Sequence, residues 1–261
     1  MIERLLQERR HLWTAVTLLT RLPAPRSIGF DQDWLAPAAV YFPLVGAVVG
    51  LGAAAAFRAA AAVSSSGVAS LAAVAFAAGL TGGLHEDGWA DFFDGLAAGG
   101  DRERMLQAMK DSRIGAAGAL ALILLVSGKL ACLPALPVAE LPGALIGAHV
   151  LSRWSNLPLL WRLPYARPEG GMAAALAGRV SGARVAWGTA LGGLLVWAAL
   201  GWAALPAAAG AVAAVVIAAL VIRARLGGIT GDCLGATNQL VELTVLLVLA
   251  CRWPGGRPAL P

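Results

Sequence analysis

The sequence predicts an all-α, polytopic integral membrane protein with about seven transmembrane helices. Of its 261 residues, 59% are hydrophobic and 13% are charged, whereas a soluble domain has about 25% charged residues. Apolar runs close to the ~20 residues needed to cross a bilayer recur along the chain, and their Ala and Gly suit close helix packing in membranes. A soluble protein with buried Ala-rich helices is the alternative, and it is disfavoured because so few charges would not cover its surface.

Polar segments and turn residues separate the predicted spans. The first span has Pro43 near its start and ends at the turn SSSG, and the second ends at the pair Gly82 and Gly83. The loop PALPVAELPG follows the third span, and the seventh is expected to begin near Ala236. The predicted spans are 36–63, 68–84, 116–133, 144–161, 185–205, 207–222 and 240–251.

One membrane-embedded catalytic domain is expected over residues 1–261. Residues 1–34 carry acidic and basic side chains that suit an interfacial amphipathic helix. Residues 252–261 are rich in Pro and Gly and are predicted to form a flexible tail. Membrane lipid is therefore an expected partner, and a homo-oligomer is left open.

The basic residues orient the chain. With the N-terminus in the cytoplasm, the cytoplasmic segments carry fifteen of the twenty Lys and Arg residues, and the opposite loops carry none. The positive-inside rule therefore favours seven spans over six or eight and places the polar motifs on the cytoplasmic face of the inner membrane. The same bias explains the net charge of +5, so no nucleic-acid partner is expected. The four cytoplasmic segments are 1–34, 85–115, 162–184 and 223–235.

Seven of the fifteen acidic residues fall within residues 82–118. Asp87, Asp91 and Asp94 follow at i, i+4 and i+7, so on a helix they share one face. Three carboxylates on one face repel one another unless a cation binds, and hard oxygen ligands favour Mg²⁺, Mn²⁺ or Ca²⁺. A solvated acidic helix on a cytoplasmic loop is the alternative.

Basic residues follow the acidic cluster. Lys110 and Arg113, with Arg102 and Arg104 nearby, supply positive charge for phosphate oxygens that a metal does not hold. Acids and bases at one membrane face suit phosphoryl transfer, which depends on positioning and charge neutralisation.

Further charged residues lie within apolar runs. Arg153 and Lys129 each cost at least ~2.5 kcal/mol if they lie inside the membrane, so either they snorkel to an interface or they have a function. Arg153 is the stronger functional candidate because His149 and Asn156 share its region of the helix. Glu242 is either their partner or a separate structural acid.

Two polar motifs leave alternatives open. Asp232, in GGITGDCLG, lies at a predicted helix start, where an acid either caps the helix or binds metal or substrate. Arg167, in PYARPEG, either contacts phosphate or is a solvated loop arginine.

Several strings resemble the cobalamin synthase family, the membrane enzymes known as adenosylcobinamide-GDP ribazoletransferases. The most specific are GGLHEDGWADFFDG and MKDSRIGAAG, and the resemblance spans residues 17 to about 245. Trp89, Ala117 and Ile229 depart from the family pattern, and no departure removes an acid. The other matching strings are TLLTRLPAP, YFPLVGAVVG, the pair Arg153-Trp154, PYARPEG and GGITGDCLGA.

The resemblance implies a transferase for substituted phosphate groups. Adenosylcobinamide-GDP and α-ribazole, or its 5′-phosphate, would give adenosylcobalamin (5′-phosphate) and GMP with Mg²⁺, a late step of cobalamin biosynthesis. One of the three aspartates or His85 would accept the proton of the nucleophile, and Lys110 would neutralise phosphate. The implied metal ligands are Glu86, Asp87, Asp91 and Asp94. The implied substrate-binding residues are Lys110, Asp111, Arg113, Arg153, Arg167 and Asp232.

Two other functions compete with the transferase. A membrane transporter would use the acidic cluster and Arg153 as an ion or solute path, but transporters usually place key charges near mid-membrane on paired broken helices. A non-enzymatic membrane scaffold is disfavoured by the dense acidic and basic motifs.

Overall fold

The computed structural model of the protein describes residues 2–251, and the predicted tail at 252–261 lies outside them. Within that range the secondary structure is helical apart from one isolated bridge between Tyr165 and Ile229, which confirms the all-α prediction. The α-helices are α1 (Ile2–Leu19), α2 (Leu35–Ala38), α3 (Phe42–Ala61), α4 (Ser66–Thr81), α5 (Leu84–Ala98), α6 (Arg102–Ala108), α7 (Ala116–Cys132), α8 (Leu141–Trp154), α9 (Asn156–Arg162), α10 (Gly182–Leu200), α11 (Ala204–Leu226) and α12 (Gly231–Ala250).

Four helical stretches in the described residues are long and apolar enough to cross a membrane, and the bent pair α4 and α5 is a fifth if it forms one span. The chain is therefore a membrane protein, while the total of seven spans stays a prediction. The qualifying stretches are Gln32–Ala61, Ala116–Ala135, Gly182–Leu226 and Gly231–Ala250.

The longest stretch, Gly182–Leu226, is a helical hairpin. It breaks at Gly201, whose φ is 53°. Its two ends approach the same segment, because Gly182 lies beside Trp161 and the Arg102 guanidinium donates to the carbonyls of both Leu226 and Ala166. The stretch therefore runs out and back, as predicted for residues 185–205 and 207–222.

Helix α8 lies in the interior of the bundle. It contacts α3, α10, α11 and α12, and ten of its fourteen residues are buried, which is typical of a helix enclosed by others. Glycines 46 and 50 let α3 approach closely, because a Cβ at either position would overlap the α8 backbone. The single span predicted at 144–161 is instead divided at Ser155 into α8 and α9.

The acidic segment is part of the bundle. Gly82 and Gly83 have φ values of 70° and 71°, a left-handed conformation that glycine adopts readily. The chain bends by 88° there, so α4 ends before the predicted limit of the second span. Helix α5 then packs against α7 and α12 and buries His85, Trp89 and Phe92. Helix α5 is therefore packed into the bundle on this face, while Asp87 on its acidic face is exposed.

Helices α5 and α12 cross at two glycines. A Cβ on Gly88 would lie 3.0 Å from the Asp232 carbonyl oxygen and 3.2 Å from the Cα of Gly235, both shorter than an ordinary van der Waals contact. Helix α12 begins at Gly231, five residues before the predicted start, because the Thr230 hydroxyl caps it by accepting the N–H of Cys233. The crossing therefore brings the start of α12 against the acidic helix.

The four polar segments meet at one end of the bundle, as the sequence predicted. Their contacts hold the N-terminal, acidic, 162–184 and 223–235 segments to one another or to the adjacent helix ends. These contacts are hydrogen bonds from the Arg21 N–H to the Leu80 carbonyl (2.8 Å), from Lys110 to Glu169 (3.0 Å), from the Ala166 N–H to the Ile229 carbonyl (2.9 Å) and from Arg184 to the Pro37 carbonyl (2.7 Å).

The substitution Gly88→Ala tests the crossing. We expect it to lower the unfolding free energy by about 1–3 kcal/mol, because overpacking forces the two backbones apart. Gly79→Ala in α4 is the matched control, since a Cβ there meets no atom within 4 Å and Ala is favoured over Gly by ~0.5–1 kcal/mol inside a helix. Thermal unfolding in detergent measures both, and equal stability of the two variants would contradict the close crossing.

Candidate active site

A cavity of about 680 Å³ lies beside the bend between α4 and α5. Both bend glycines line it, and α5 contributes Glu86, Asp87 and Asp91. The other walls come from α1, from the loop before α7 and from α7, and they include Arg21 and Ser112. The volume lies within the ~300–1,000 Å³ typical of ligand sites. We call it the main cavity.

A smaller cavity of about 180 Å³ adjoins the main cavity. The two share Leu18, Leu84 and Asp87 as lining residues. The smaller cavity is also lined by His85 and by Asp232 at the start of α12. Asp87, which is exposed, therefore lies where the two cavities meet.

Asp91 lies in a negatively charged environment. Its carboxylate interacts unfavourably with those of Asp87, Asp232 and Asp94, and favourably with the Arg167 guanidinium. Arg167 pairs with Asp232 at 2.8 Å. Since Thr230 caps α12, the Asp232 carboxylate is free to pair with Arg167. Arg167 and Asp232 both lie beside the acidic helix.

Asp94 has a different position from the other two aspartates. One of its carboxylate oxygens accepts the Gly115 N–H and the other accepts the Gly118 N–H, each at 2.7 Å. These are orphan amides at the start of α7, so Asp94 caps that helix from α5. A Cβ on either glycine would overlap the Asp94 carboxylate. Asp94 is not among the residues that line the main cavity.

The acidic residues form no preassembled metal cage. Within residues 2–251 no group of three His, Cys, Asp or Glu side chains is arranged to hold a metal ion. Asp87 and Asp91, one helical turn apart, both line the main cavity. Mg²⁺ usually binds through one or two carboxylates together with substrate phosphates, and this pair fits that pattern.

A buried polar network runs behind the acidic helix. The Glu86 Oε1 accepts from the Gln239 amide at 3.0 Å, and the Gln239 Oε1 accepts from Lys129 Nζ at 2.6 Å. Lys129 also pairs with Glu242 at 2.5 Å. The other Glu86 oxygen is buried and has no hydrogen-bond partner in the described residues. Glu86 therefore connects the main cavity to the bundle interior.

Arg153 belongs to the same network. Its guanidinium lies 3.4 Å from Glu242 and 2.8 Å from His149, and His149 lies 3.3 Å from Glu242. Arg153 and Lys129 are 1% and 3% exposed, so snorkelling to an interface is wrong for both. Glu242 is their partner, which was one of the two alternatives. Arg153, predicted to bind substrate, lines neither cavity.

The predicted phosphate-binding residues lie outside the cavity. Lys110 pairs with Glu169, and Arg113 pairs with Asp111 at 2.7 Å. The Arg113 hydrogen bonds lower the pKa of Asp111 to about 2. All four side chains are exposed, and exposed ion pairs contribute little to stability, so a phosphate can compete for either cation.

The structure shows positions for three residues that the sequence pattern did not indicate. Arg21 lines the main cavity, and no carboxylate pairs with it in the described residues. The string TLLTRLPAP resembles the family, but nothing in its pattern indicates a role for the arginine. Arg102 holds the end of α11 through the Leu226 carbonyl at 2.7 Å, a structural contact that its sequence position did not indicate. Ile229 is fully buried, and its departure from the family pattern does not alter a cavity wall.

Several known proteins similar to this chain carry the same name. The family model described as Cobalamin-5-phosphate synthase matches residues 11–250. A relative from Ralstonia nicotianae, named adenosylcobinamide-GDP ribazoletransferase, is 42% identical over 92% of this chain and 94% of its own length. A relative with the same name from Syntrophobacter fumaroxidans is 40% identical over 93% of this chain and 99% of its own length. Another from Chlorobaculum tepidum is 37% identical over 94% of this chain and 96% of its own length. No solved structure matches the chain.

Removal of the Asp94 carboxylate tests the capping assignment. We expect Asp94→Ala to lower the unfolding free energy by ~0.5–2 kcal/mol, because the two α7 amides lose their acceptor. Asp94→Asn keeps one acceptor oxygen and should lose less. Asp111→Ala, in the same polar segment, should leave the unfolding temperature in detergent unchanged. If Asp94→Ala is as stable as Asp111→Ala, the cap does not contribute.

Proposed function

The chain belongs to the cobalamin-5-phosphate synthase family, and we propose that it joins adenosylcobinamide-GDP to α-ribazole, or to α-ribazole 5′-phosphate, with release of GMP. The family makes it a transferase of cobalamin biosynthesis. The observation that carries the site assignment is the main cavity, which combines the carboxylates of Asp87 and Asp91 with the Arg21 side chain; the identity of the substrates comes from the family. A transporter or a scaffold does not account for relatives named as transferases.

The proposed reaction breaks the phosphoanhydride bond of adenosylcobinamide-GDP and forms a phosphodiester. A ribazole hydroxyl oxygen bonds to the cobinamide-side phosphorus of the pyrophosphate. The bond from that phosphorus to the bridging oxygen breaks, and GMP leaves with that oxygen. The hydroxyl proton passes to a carboxylate of α5. Asp87 lines both cavities, whereas His85 is only 2% exposed, so an aspartate is the more accessible acceptor.

Positive side chains bind the pyrophosphate in this proposal. Arg21 lines the main cavity and supplies a guanidinium for phosphate oxygens. Lys110 and Arg113 lie next to the wall that Ser112 and Ile114 form, and they attract the substrate to the entrance. Arg167 balances the charge of Asp232 beside Asp91. The surplus of carboxylates on α5 is thus matched by cations at the same end.

Asp87 and Asp91 would hold Mg²⁺ together with the substrate phosphates. The bound ion would neutralise negative charge on the pyrophosphate oxygens. This set is smaller than the one that the family resemblance implied, because Asp94 caps α7 and Glu86 hydrogen-bonds to Gln239. The location proposed for the protein is the inner membrane with the cavity facing the cytoplasm, since the basic residues are concentrated at the polar end.

A direct assay tests the proposed function. Purified protein in lipid nanodiscs is incubated with adenosylcobinamide-GDP and α-ribazole 5′-phosphate, and GMP release is measured. We expect GMP and adenosylcobalamin 5′-phosphate in equal amounts, loss of turnover with EDTA and recovery with Mg²⁺. Release of GMP without the nucleoside, or no GMP at all, would contradict the transferase assignment.

The variant Asp91→Asn separates catalysis from folding. It keeps the side-chain volume and removes one negative charge from the cavity, so we expect turnover to fall about 100-fold or more with little change in unfolding temperature. Asp33→Asn is the matched control, because Asp33 is exposed and lines neither cavity. Near-normal turnover of Asp91→Asn would exclude Asp91 as an essential ligand.

A further inference from the structure

We propose that the smaller cavity binds the fused heteroaromatic base of the nucleoside acceptor, while the main cavity holds the pyrophosphate substrate. This assignment rests on the proposed function and divides its site into two parts. The family description does not locate either substrate within the protein. The assignment depends on the size of the cavity, on one buried histidine and on the position of Asp87.

The size and lining of the smaller cavity suit one ring system. Its volume is about 180 Å³, and an apolar cavity of ~150 Å³ in another protein holds a benzene ring. Its walls include Leu19, Phe42, Leu176 and Leu234, which are apolar side chains that pack against the flat faces of an aromatic ring. A corrin or a complete nucleotide is too large for this space, whereas the fused base of the nucleoside fits it.

His85 supplies an unsatisfied polar group in the wall. It lines the smaller cavity and is 2% exposed, and neither of its ring nitrogens has a hydrogen-bond partner in the described residues. A buried polar group without a partner costs about 1–3 kcal/mol. A fused azole base has one ring nitrogen that is not bonded to the ribose, and this nitrogen accepts a hydrogen bond from an imidazole N–H. His85 is therefore a specificity-determining residue for the base.

The shared residues orient the nucleoside. Leu18, Leu84 and Asp87 line both cavities. A nucleoside with its base in the smaller cavity would extend its ribose toward Asp87, beside the acids of the main cavity. The ribose hydroxyl then approaches the cobinamide-side phosphorus from the side of α5, and in-line displacement places the departing GMP on the opposite side of that phosphorus.

The segment after α9 forms the outer wall of the smaller cavity. Met172, Ala173 and Leu176 line it, and Ala173 and Leu176 are buried. Ala173→Phe adds a ring at this wall, whereas Leu176→Ala removes a side chain from it. The two changes therefore alter the available volume in opposite directions without touching an acidic residue.

Steady-state kinetics with both substrates varied test the assignment. We expect Ala173→Phe to raise the KM for α-ribazole 5′-phosphate by about tenfold or more, since crowding of a hydrophobic pocket changes selectivity by 10–200-fold. The KM for adenosylcobinamide-GDP should stay within about twofold. Ala218→Phe is the matched control, because Ala218 lines a separate apolar cavity of about 160 Å³ next to Trp89 and Ile222, and it should change neither KM.

A second variant keeps the test decisive if Ala173→Phe does not fold. Leu176→Ala should raise kcat/KM for the riboside of a three-ring base by about tenfold relative to α-ribazole. His85→Leu should reduce the discrimination between the riboside of benzimidazole and the riboside of indole, because indole lacks the free ring nitrogen. An unchanged base preference in Leu176→Ala, or an Ala173→Phe effect confined to adenosylcobinamide-GDP, would overturn the assignment. If wild-type protein releases no GMP with any nucleoside, the proposed function fails, whereas wild-type turnover with unshifted preferences refutes only the cavity assignment.

Discussion

The close crossing of α5 over α12 is the contact on which the site depends. No side chain separates the helices at Gly88 and Gly235, so the acids of α5 lie against the start of α12. Helix α5 reaches this position because the chain turns by 88° at Gly82 and Gly83. One glycine-lined turn and one glycine-lined crossing therefore bring together Asp87, Asp91 and Asp232, which lie on two helices far apart in sequence, and leave the two cavities on either side of Asp87.

The buried polar network holds the acidic helix in place from behind. Isolated charges inside a membrane bundle are costly, so they need partners; Glu242 has Lys129 on one side and Arg153 on the other. The chain of contacts continues through Gln239 to Glu86 on α5. This linkage restricts rotation of α5 about its axis, because a rotated helix would leave Gln239 and Lys129 without Glu86. The network thereby keeps Asp87 and Asp91 turned toward the cavity, and Arg153 lies in this network and not in the wall of either cavity.

Local sequence signals predicted the features that depend on composition and spacing. Hydropathy indicated the helices, the distribution of Arg and Lys indicated that polar segments share one end, and the i, i+4 spacing placed Asp87 and Asp91 on one face. Features that depend on distant partners were not predictable. The spacing of Asp94 does not show that Gly115 and Gly118 donate to its carboxylate, and the sequence leaves open whether Glu242 is the partner of Arg153. The substrates come from the family resemblance, since no spacing distinguishes one pyrophosphate from another.

In the proposed reaction, the acids of α5 and the bend before them form the binding site of the pyrophosphate substrate. Photolabelling with adenosylcobinamide-GDP that carries a photoreactive guanine, followed by mass spectrometry of the labelled peptides, measures where this substrate binds. We expect adducts in peptides that contain main-cavity residues, from 18–21, 81–91 or 112–122, and competition by unlabelled substrate. Competable adducts confined to the hairpin of α10 and α11 would contradict it.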